Sequence, residues 1–139
     1  MRAAIVVEAR SWLDTKFQHQ ARIKGVACDC AGLVIGVCKA LGLTDFDKAD
    51  YSRIPDGVML KATCDAEMTP ITIDAIQPGD VLLFRFDGHP QHLAIVGDYA
   101  HGGLSIIHAY SLARKVTEHR LDDVWRSRIV AAYKLPGVE

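Results

Sequence analysis

The sequence predicts an α+β fold, in which N-terminal helices pack on a central antiparallel β-sheet of about five strands. The run from residue 30 to residue 41 is apolar almost all round and long for a strand, which favours a buried helix. After residue 77, short apolar runs alternate with glycine and proline turns, a pattern typical of strands. The length of 139 residues favours a single domain over 1–139.

The first predicted helix covers residues 3–13. Ile5, Ala9 and Trp12 recur there at helical spacing and would share one face. The polar segment 14–27 that follows is predicted to be a loop.

Boundary signals flank the second predicted helix, residues 30–41. Asp29 is a good N-cap, and Gly42 is a good C-terminal stop. Residues typical of turns and strands predict the elements of the rest of the chain. These predicted elements are a turn at Pro55–Gly57, a short helix at 58–66, strands at 81–86, 92–96, 104–109 and 115–120, a helical turn at 122–125 and a strand at 129–135.

Composition argues against several classes of partner. The net charge is -1 and no basic block stands out, so nucleic acid is not expected as a partner. No segment reaches the roughly 20 apolar residues of a membrane span. Charged residues interrupt the apolar stretch at the N-terminus, so no export signal is predicted and we expect synthesis in the cytoplasm. Without secretion, the four cysteines are expected to be free thiols.

Cys30 is the first candidate for chemistry. It begins the predicted buried helix, where partial positive charge and unpaired N–H groups favour a thiolate. The same N–H groups could hold the oxyanion that forms on an attacked carbonyl. On these local features alone, Cys30 is more often explained as a small buried apolar residue, as most free cysteines are.

His92 and His108 are the second and third candidates. An imidazole near a thiol can take its proton and later donate it to a leaving amine. His108 follows 16 residues after His92, and in a hairpin the two would be neighbours on one face, so that His108 could orient His92. His89, His101 and His119 are interpreted as solvated.

A metal site is the weaker alternative for the cysteines. Cys28 and Cys30 are poorly spaced for zinc, and no second close pair completes four ligands, so neither metal nor cofactor is predicted. Cys38 is expected to pack in the core, and Cys28 and Cys64 have no assigned role.

Read together, these segments resemble the NlpC family of papain-like cell-wall peptidases. Asp29-Cys-Ala-Gly-Leu-Val34 resembles its Asp-Cys-Ser-Gly-Leu-Val signature, and Pro78-Gly-Asp80 resembles the start of one of its strands. His92-Leu-Ala-Ile-Val-Gly97 and Ile107-His-Ala109 match the segments that carry its two catalytic histidines. The resemblance implies a papain-like fold, with Cys30 as nucleophile, His92 as general base and acid, and His108 orienting His92.

Two positions depart from the family pattern. Ala31 replaces the usual serine, and Phe17 stands where a tyrosine near the substrate is common. Phe17 and Asp29 are the predicted substrate-binding residues. The segments 17–20 and 51–57 resemble those of phage-associated members.

The resemblance implies hydrolysis of an amide in a peptidoglycan stem peptide, typically between D-glutamate and a diamino acid. Phage tail proteins are possible partners, with delivery to the cell wall in a tail-like particle; a cytoplasmic enzyme that recycles wall peptides is the other setting. The main alternative is a tail-assembly module of the same fold with weak or no activity. A related permuted group of lipid acyltransferases is disfavoured because its histidine segment precedes its cysteine.

Overall fold

The computed structural model describes residues 1–44, 58–86 and 89–139, without the side chains of residues 58, 59 and 89. The predicted turn at Pro55–Gly57 and the phage-like segment 51–57 lie outside the described residues. The helices are α1 (Arg2–Arg10), α2 (Cys30–Ala40), α3 (Val58–Glu67) and α4 (Asp123–Arg126), with a 3-10 turn at Ile73–Ala75. None of the described helices combines the length and apolarity needed to cross a membrane.

The strands form one sheet in the order β2-β3-β1-β8-β7-β6-β5-β9-β4 within the described part of the chain. Five long strands make up its centre and correspond to the predicted antiparallel sheet. The long strands are β5 (Val81–Phe86), β6 (His89–Asp98), β7 (Leu104–Tyr110), β8 (Lys115–Arg120) and β9 (Ile129–Lys134). The short ones are β1 (Lys16–Phe17), β2 (Arg22–Ile23), β3 (Ala27–Cys28) and β4 (Thr69–Ile71).

The short strands revise one prediction. The segment 14–27 is not only a loop: it holds β1, β2 and β3 and extends the sheet beyond β8. Each of these strands has two residues, which is too short for an apolar alternation to show in the sequence. β1 pairs in parallel with β3 and antiparallel with β8, so this segment carries the chain from the sheet edge to the start of α2.

Helix α2 begins and packs where the sequence predicts. The Asp29 side chain accepts a hydrogen bond from the Gly32 N–H at 2.7 Å and so caps the first turn. A Cβ at Gly32 would collide with the Ala21 carbonyl oxygen, so glycine lets the preceding loop approach the helix closely. Gly36 gives similar room to the ring of Trp12, which follows α1.

The two faces of the central sheet bury separate apolar cores. The first core lies under α1 and α2 and includes Ile5, Leu33, Leu93, Ile95 and Ile107. The second core lies on the opposite face and includes Phe84, Ala94, Ile106, Trp125 and Ile129. The two sets alternate along β6 and β7, as consecutive side chains of a strand must.

Candidate active site

Cys30 is the first residue of α2 and is half-buried against the rim of the first core. Backbone N–H groups of Cys30, Ala31 and Leu93 act on its sulfur and lower the pKa of the thiol. Two of these donors come from the open first turn of the helix, and the third comes from β6. The predicted helix N-terminal setting of Cys30 is therefore present, with one donor that the sequence did not indicate.

The protonation state of Cys30 differs from the predicted thiolate. Burial, followed by the charge of neighbouring Asp29, raises the pKa of the Cys30 thiol to about 12. The three backbone N–H groups act in the opposite direction but do not outweigh burial. In the resting protein Cys30 is accordingly a neutral thiol, which needs a base to lose its proton.

His92 and His108 are brought together as predicted from their spacing. His92 Nε2 lies 2.6 Å from His108 Nδ1, and both side chains are buried. The two residues stand on the neighbouring strands β6 and β7. Because Nε2 of His92 is taken by His108, Nδ1 is the nitrogen of His92 that remains for another partner.

A third imidazole joins this pair and corrects one prediction. His119, interpreted from sequence as solvated, is half-buried on β8, and its Nε2 lies 2.8 Å from His108 Nε2. Its Nδ1 lies 3.0 Å from the carbonyl oxygen of Arg120. We call His92, His108 and His119 the histidine row. His101 is exposed in a turn, as predicted, and the side chain of His89 is outside the described residues.

Trp125 covers the histidine row. Its ring centroid lies 6.1, 5.1 and 5.3 Å from those of His92, His108 and His119. Phe86 stacks on His92, and Tyr110 stacks on His108. Burial among these rings lowers the pKa of His92 to about 3 and that of His108 to about 2. The nearby imidazoles contribute to both of these shifts in the same direction, so His92 and His108 are neutral at physiological pH.

Cys30 and the histidine row, the two parts of the candidate site, approach each other at the start of β6. The histidine row lies on the face of the second core, whereas α2 packs on the face of the first. The N–H of Leu93, the residue that follows His92, acts to lower the pKa of the Cys30 thiol. The described residues include no hydrogen bond from this sulfur to the His92 ring, and such contacts often tighten only when substrate binds.

The two residues predicted to bind substrate have different surroundings. Phe17 is half-buried in β1, opposite Cys28 of β3, and packs on the first core. Asp29 is buried, and its carboxylate accepts the Gly32 N–H and the Gln20 N–H, each at 2.7 Å. Asp29 therefore acts as a cap that also holds the preceding loop, and substrate contact by either residue stays a prediction.

The other cysteines lie in apolar surroundings. Cys28, Cys38 and Cys64 are buried free thiols, and burial raises the pKa of each. Among the described residues, no group of three or more histidine, cysteine or acidic side chains is arranged to hold a metal ion.

Comparison with known proteins assigns the family. A model of the NlpC/P60 family matches residues 14–134, and the chain belongs to this family. The matched range contains Cys30, His92, His108 and His119. The predicted α+β, papain-like fold and the family resemblance are thereby confirmed. No curated protein matches the chain.

Solved structures share the fold at low identity. The NlpC/P60 domain of the peptidoglycan hydrolase SagA is 23% identical, with a TM-score of 0.68 over 97% of this chain and 99% of that one. An NlpC/P60 family protein from Bacillus cereus is 18% identical, with a TM-score of 0.72 over 97% of this chain and 40% of that one. The peptidoglycan hydrolase RipB from Mycobacterium tuberculosis is 17% identical, with a TM-score of 0.64 over 99% of this chain and 65% of that one. The chain thus spans less than half of the Bacillus cereus protein.

Proposed function

We propose that the protein is a cysteine peptidase that hydrolyses an amide bond in peptidoglycan peptides. Family membership supports a hydrolase of the cell wall, and two structures of similar fold are named peptidoglycan hydrolases. The observation that carries the proposal is the 2.6 Å hydrogen bond between His92 Nε2 and His108 Nδ1, because it leaves Nδ1 of His92 available as a base. His92 directly precedes Leu93, whose N–H acts on the Cys30 thiol.

The proposed acylation step begins with neutral partners. Cys30 Sγ attacks the carbonyl carbon of the scissile amide while His92 Nδ1 takes the thiol proton. The negative charge that develops on the carbonyl oxygen is stabilised by the Cys30 backbone N–H at the start of α2. The intermediate then collapses, the C–N bond breaks, and His92 returns the proton to the leaving amine.

Deacylation uses the same groups in reverse. His92 takes a proton from a water molecule, whose oxygen attacks the thioester carbonyl. The C–S bond breaks, the new carboxylic acid leaves, and the proton returns to the Cys30 sulfur. The finer proposal is that the bond cut lies between D-glutamate and a diamino acid. Delivery to the cell wall by a phage tail-like particle stays a prediction.

Purified muropeptides provide the test. We expect the wild-type protein to release fragments that carry a new carboxylate and a new amine, detected by mass spectrometry, and Cys30→Ala to release none. His101→Ala, which removes an exposed histidine at a turn, is the matched control and should cleave like wild type. Equal cleavage by wild type and Cys30→Ala would exclude the assigned nucleophile. No cleavage by wild type would favour the interaction module of the same fold.

A further inference from the structure

The contact at the His119 end of the histidine row fixes the direction of the hydrogen bonds along the row. His119 Nδ1 lies 3.0 Å from the Arg120 carbonyl oxygen, and a carbonyl oxygen can only accept a hydrogen bond. His119 Nδ1 therefore carries a hydrogen and donates it. A neutral imidazole has one N–H, so Nε2 of His119 is left with a lone pair and must be the acceptor in its contact with His108.

The contact with His119 also fixes the hydrogens of the other two rings. His108 Nε2 lies 2.8 Å from the His119 Nε2 acceptor, so His108 carries its hydrogen on Nε2 and has a lone pair on Nδ1. His92 Nε2 lies 2.6 Å from that lone pair, so His92 also carries its hydrogen on Nε2. Nδ1 of His92 is then the one position in the row without a hydrogen and without an imidazole partner.

We infer that His119 is a positioning residue, which fixes the tautomers of His108 and His92 and so keeps Nδ1 of His92 free to accept a proton. Among the described residues, the hydrogen bonds of His119 go to His108 and to the Arg120 carbonyl, so that it acts on His92 through two hydrogen bonds. The significance for catalysis rests on the proposed function. The tautomers themselves do not, because they follow from the contacts of the resting protein.

Burial lowers the pKa of His92 and of His108, so that these two rings of the row are neutral. Trp125 lies over all three rings, and His92 and His108 are buried. The groups described against the His119 ring are the His108 imidazole from β7, the Trp125 indole from α4 and the Arg120 carbonyl from its own strand. No carboxylate is among these neighbours to hold a second proton on the row. A proton added to Nε2 of His119 would remove the acceptor and reverse the two hydrogen bonds between the rings.

Nitrogen-15 NMR of the histidine rings reads the tautomers directly. In protein labelled at its six histidines, long-range proton–nitrogen correlations distinguish a hydrogen on Nδ1 from one on Nε2. At pH 7.5 we expect Nε2–H for His92 and His108 and Nδ1–H for His119. Nε2–H at His119, or Nδ1–H at His92, would overturn the inference, whether or not the protein cleaves peptides.

Two substitutions at His119 separate positioning from a structural role. His119→Gln keeps a side-chain oxygen that can accept from His108, and it should retain Nε2–H at His108 and His92. His119→Ala removes the acceptor, and both rings should show a mixture of tautomers. The exposed His101→Ala is the control and should leave the three rings unchanged. Unaltered tautomers in His119→Ala would contradict the inference.

Kinetics on muropeptides then tests the catalytic consequence. With His119→Ala, kcat should fall about three- to tenfold with KM unchanged, which corresponds to the loss of one net hydrogen bond. His119→Gln should restore most of this loss. If wild type shows the expected tautomers but no cleavage, the proposed function fails and the tautomer assignment stands. If wild type cleaves and His119→Ala has full kcat with mixed tautomers, the positioning role is wrong.

Discussion

Two side-chain networks lie on opposite faces of the sheet and share the strands β7 and β8. The histidine row lies on the face of the second core. On the other face, Ser105 Oγ donates to Glu118 Oε2 at 2.6 Å, and Arg10 binds the same carboxylate through Nε at 3.0 Å and Nη2 at 2.9 Å. We call Arg10, Ser105 and Glu118 the charged network. It ties α1 to the sheet.

The networks differ in what a proton can do there. Burial acts to raise the pKa of Glu118, but hydrogen bonds from Arg10 and Ser105 reverse this and hold the pKa below its ordinary value. The carboxylate is therefore ionised at neutral pH and has no proton to exchange. The buried imidazoles are neutral and each retains a lone pair. Charge suits a fixed attachment between elements, whereas neutral rings leave a base ready to accept a proton.

Replacing His92, the proposed base in the histidine row, should give the largest effect on activity of any change in the two networks. His92→Gln keeps a donor toward His108 but has no imidazole nitrogen, and we expect kcat on muropeptides to fall about a thousandfold, within the range for loss of a general base. Circular dichroism and thermal unfolding should show a folded protein. A rate within fivefold of wild type would mean that His92 is not the base.

The neutral thiol predicts how Cys30 reacts with alkylating agents. Because burial raises its pKa to about 12, the rate constant with iodoacetamide should rise about tenfold per pH unit between pH 6 and 9. Mass spectrometry of the Cys30 peptide separates this signal from the three buried cysteines. A rate that is already high and constant below pH 7 would instead indicate a preformed thiolate beside a charged His92.

Acid should destabilise the histidine face before it affects the charged network. The folded pKa values of His92, about 3, and His108, about 2, lie below the unfolded value of about 6.5. The unfolded chain then binds more protons below pH 6.5, so stability is complete above that pH and is lost as pH falls. Between pH 7 and 5.5 we expect the free energy of unfolding in urea to drop by about 2 kcal/mol. The same value at both pH values would contradict neutral buried rings.

Neutralising the charged network should give the smallest effect, and in stability rather than rate. Glu118→Gln replaces a charge-assisted bond to Arg10 with a neutral one, and we expect a loss of about 1 kcal/mol in the free energy of unfolding. Below the unfolding transition, kcat should equal that of wild type. A large fall in kcat with unchanged stability would show that this network also serves the active site.

The sequence was sufficient for the order of the helices and of the five central strands, although α1 ends at Arg10 and not at the predicted residue 13. The apolar run of α2 and its Asp29 cap are local signals, and so are the turns that separate the strands. His92 and His108 could be paired because a short hairpin brings their strands together. Each of these features depends on residues that are near one another in the chain or on a motif of fixed order.

The contact of His119 with His108 and the position of Trp125 against the histidine row could not be predicted in this way. On β8, His119 pairs with Ile106, so its contact with His108 is diagonal and depends on a register between strands that no local pattern reveals. Trp125 reaches the row only because α4 folds over the second core. The protonation state of Cys30 likewise reflects how deeply the finished fold buries the thiol, whereas the helix N-terminus alone indicated a thiolate.

The single direction of the histidine row makes it a dipole. Every N–H in the row points outward toward the Arg120 carbonyl, so the negative end is the lone pair on His92 Nδ1. The macrodipole of α2 has its positive end at Cys30. The dipole of α2 thus favours negative charge on the Cys30 sulfur, and the dipole of the histidine row favours positive charge on the His92 imidazole. Together they lower the energy of the ion pair that the proton transfer creates, in a site whose burial alone would oppose both charges.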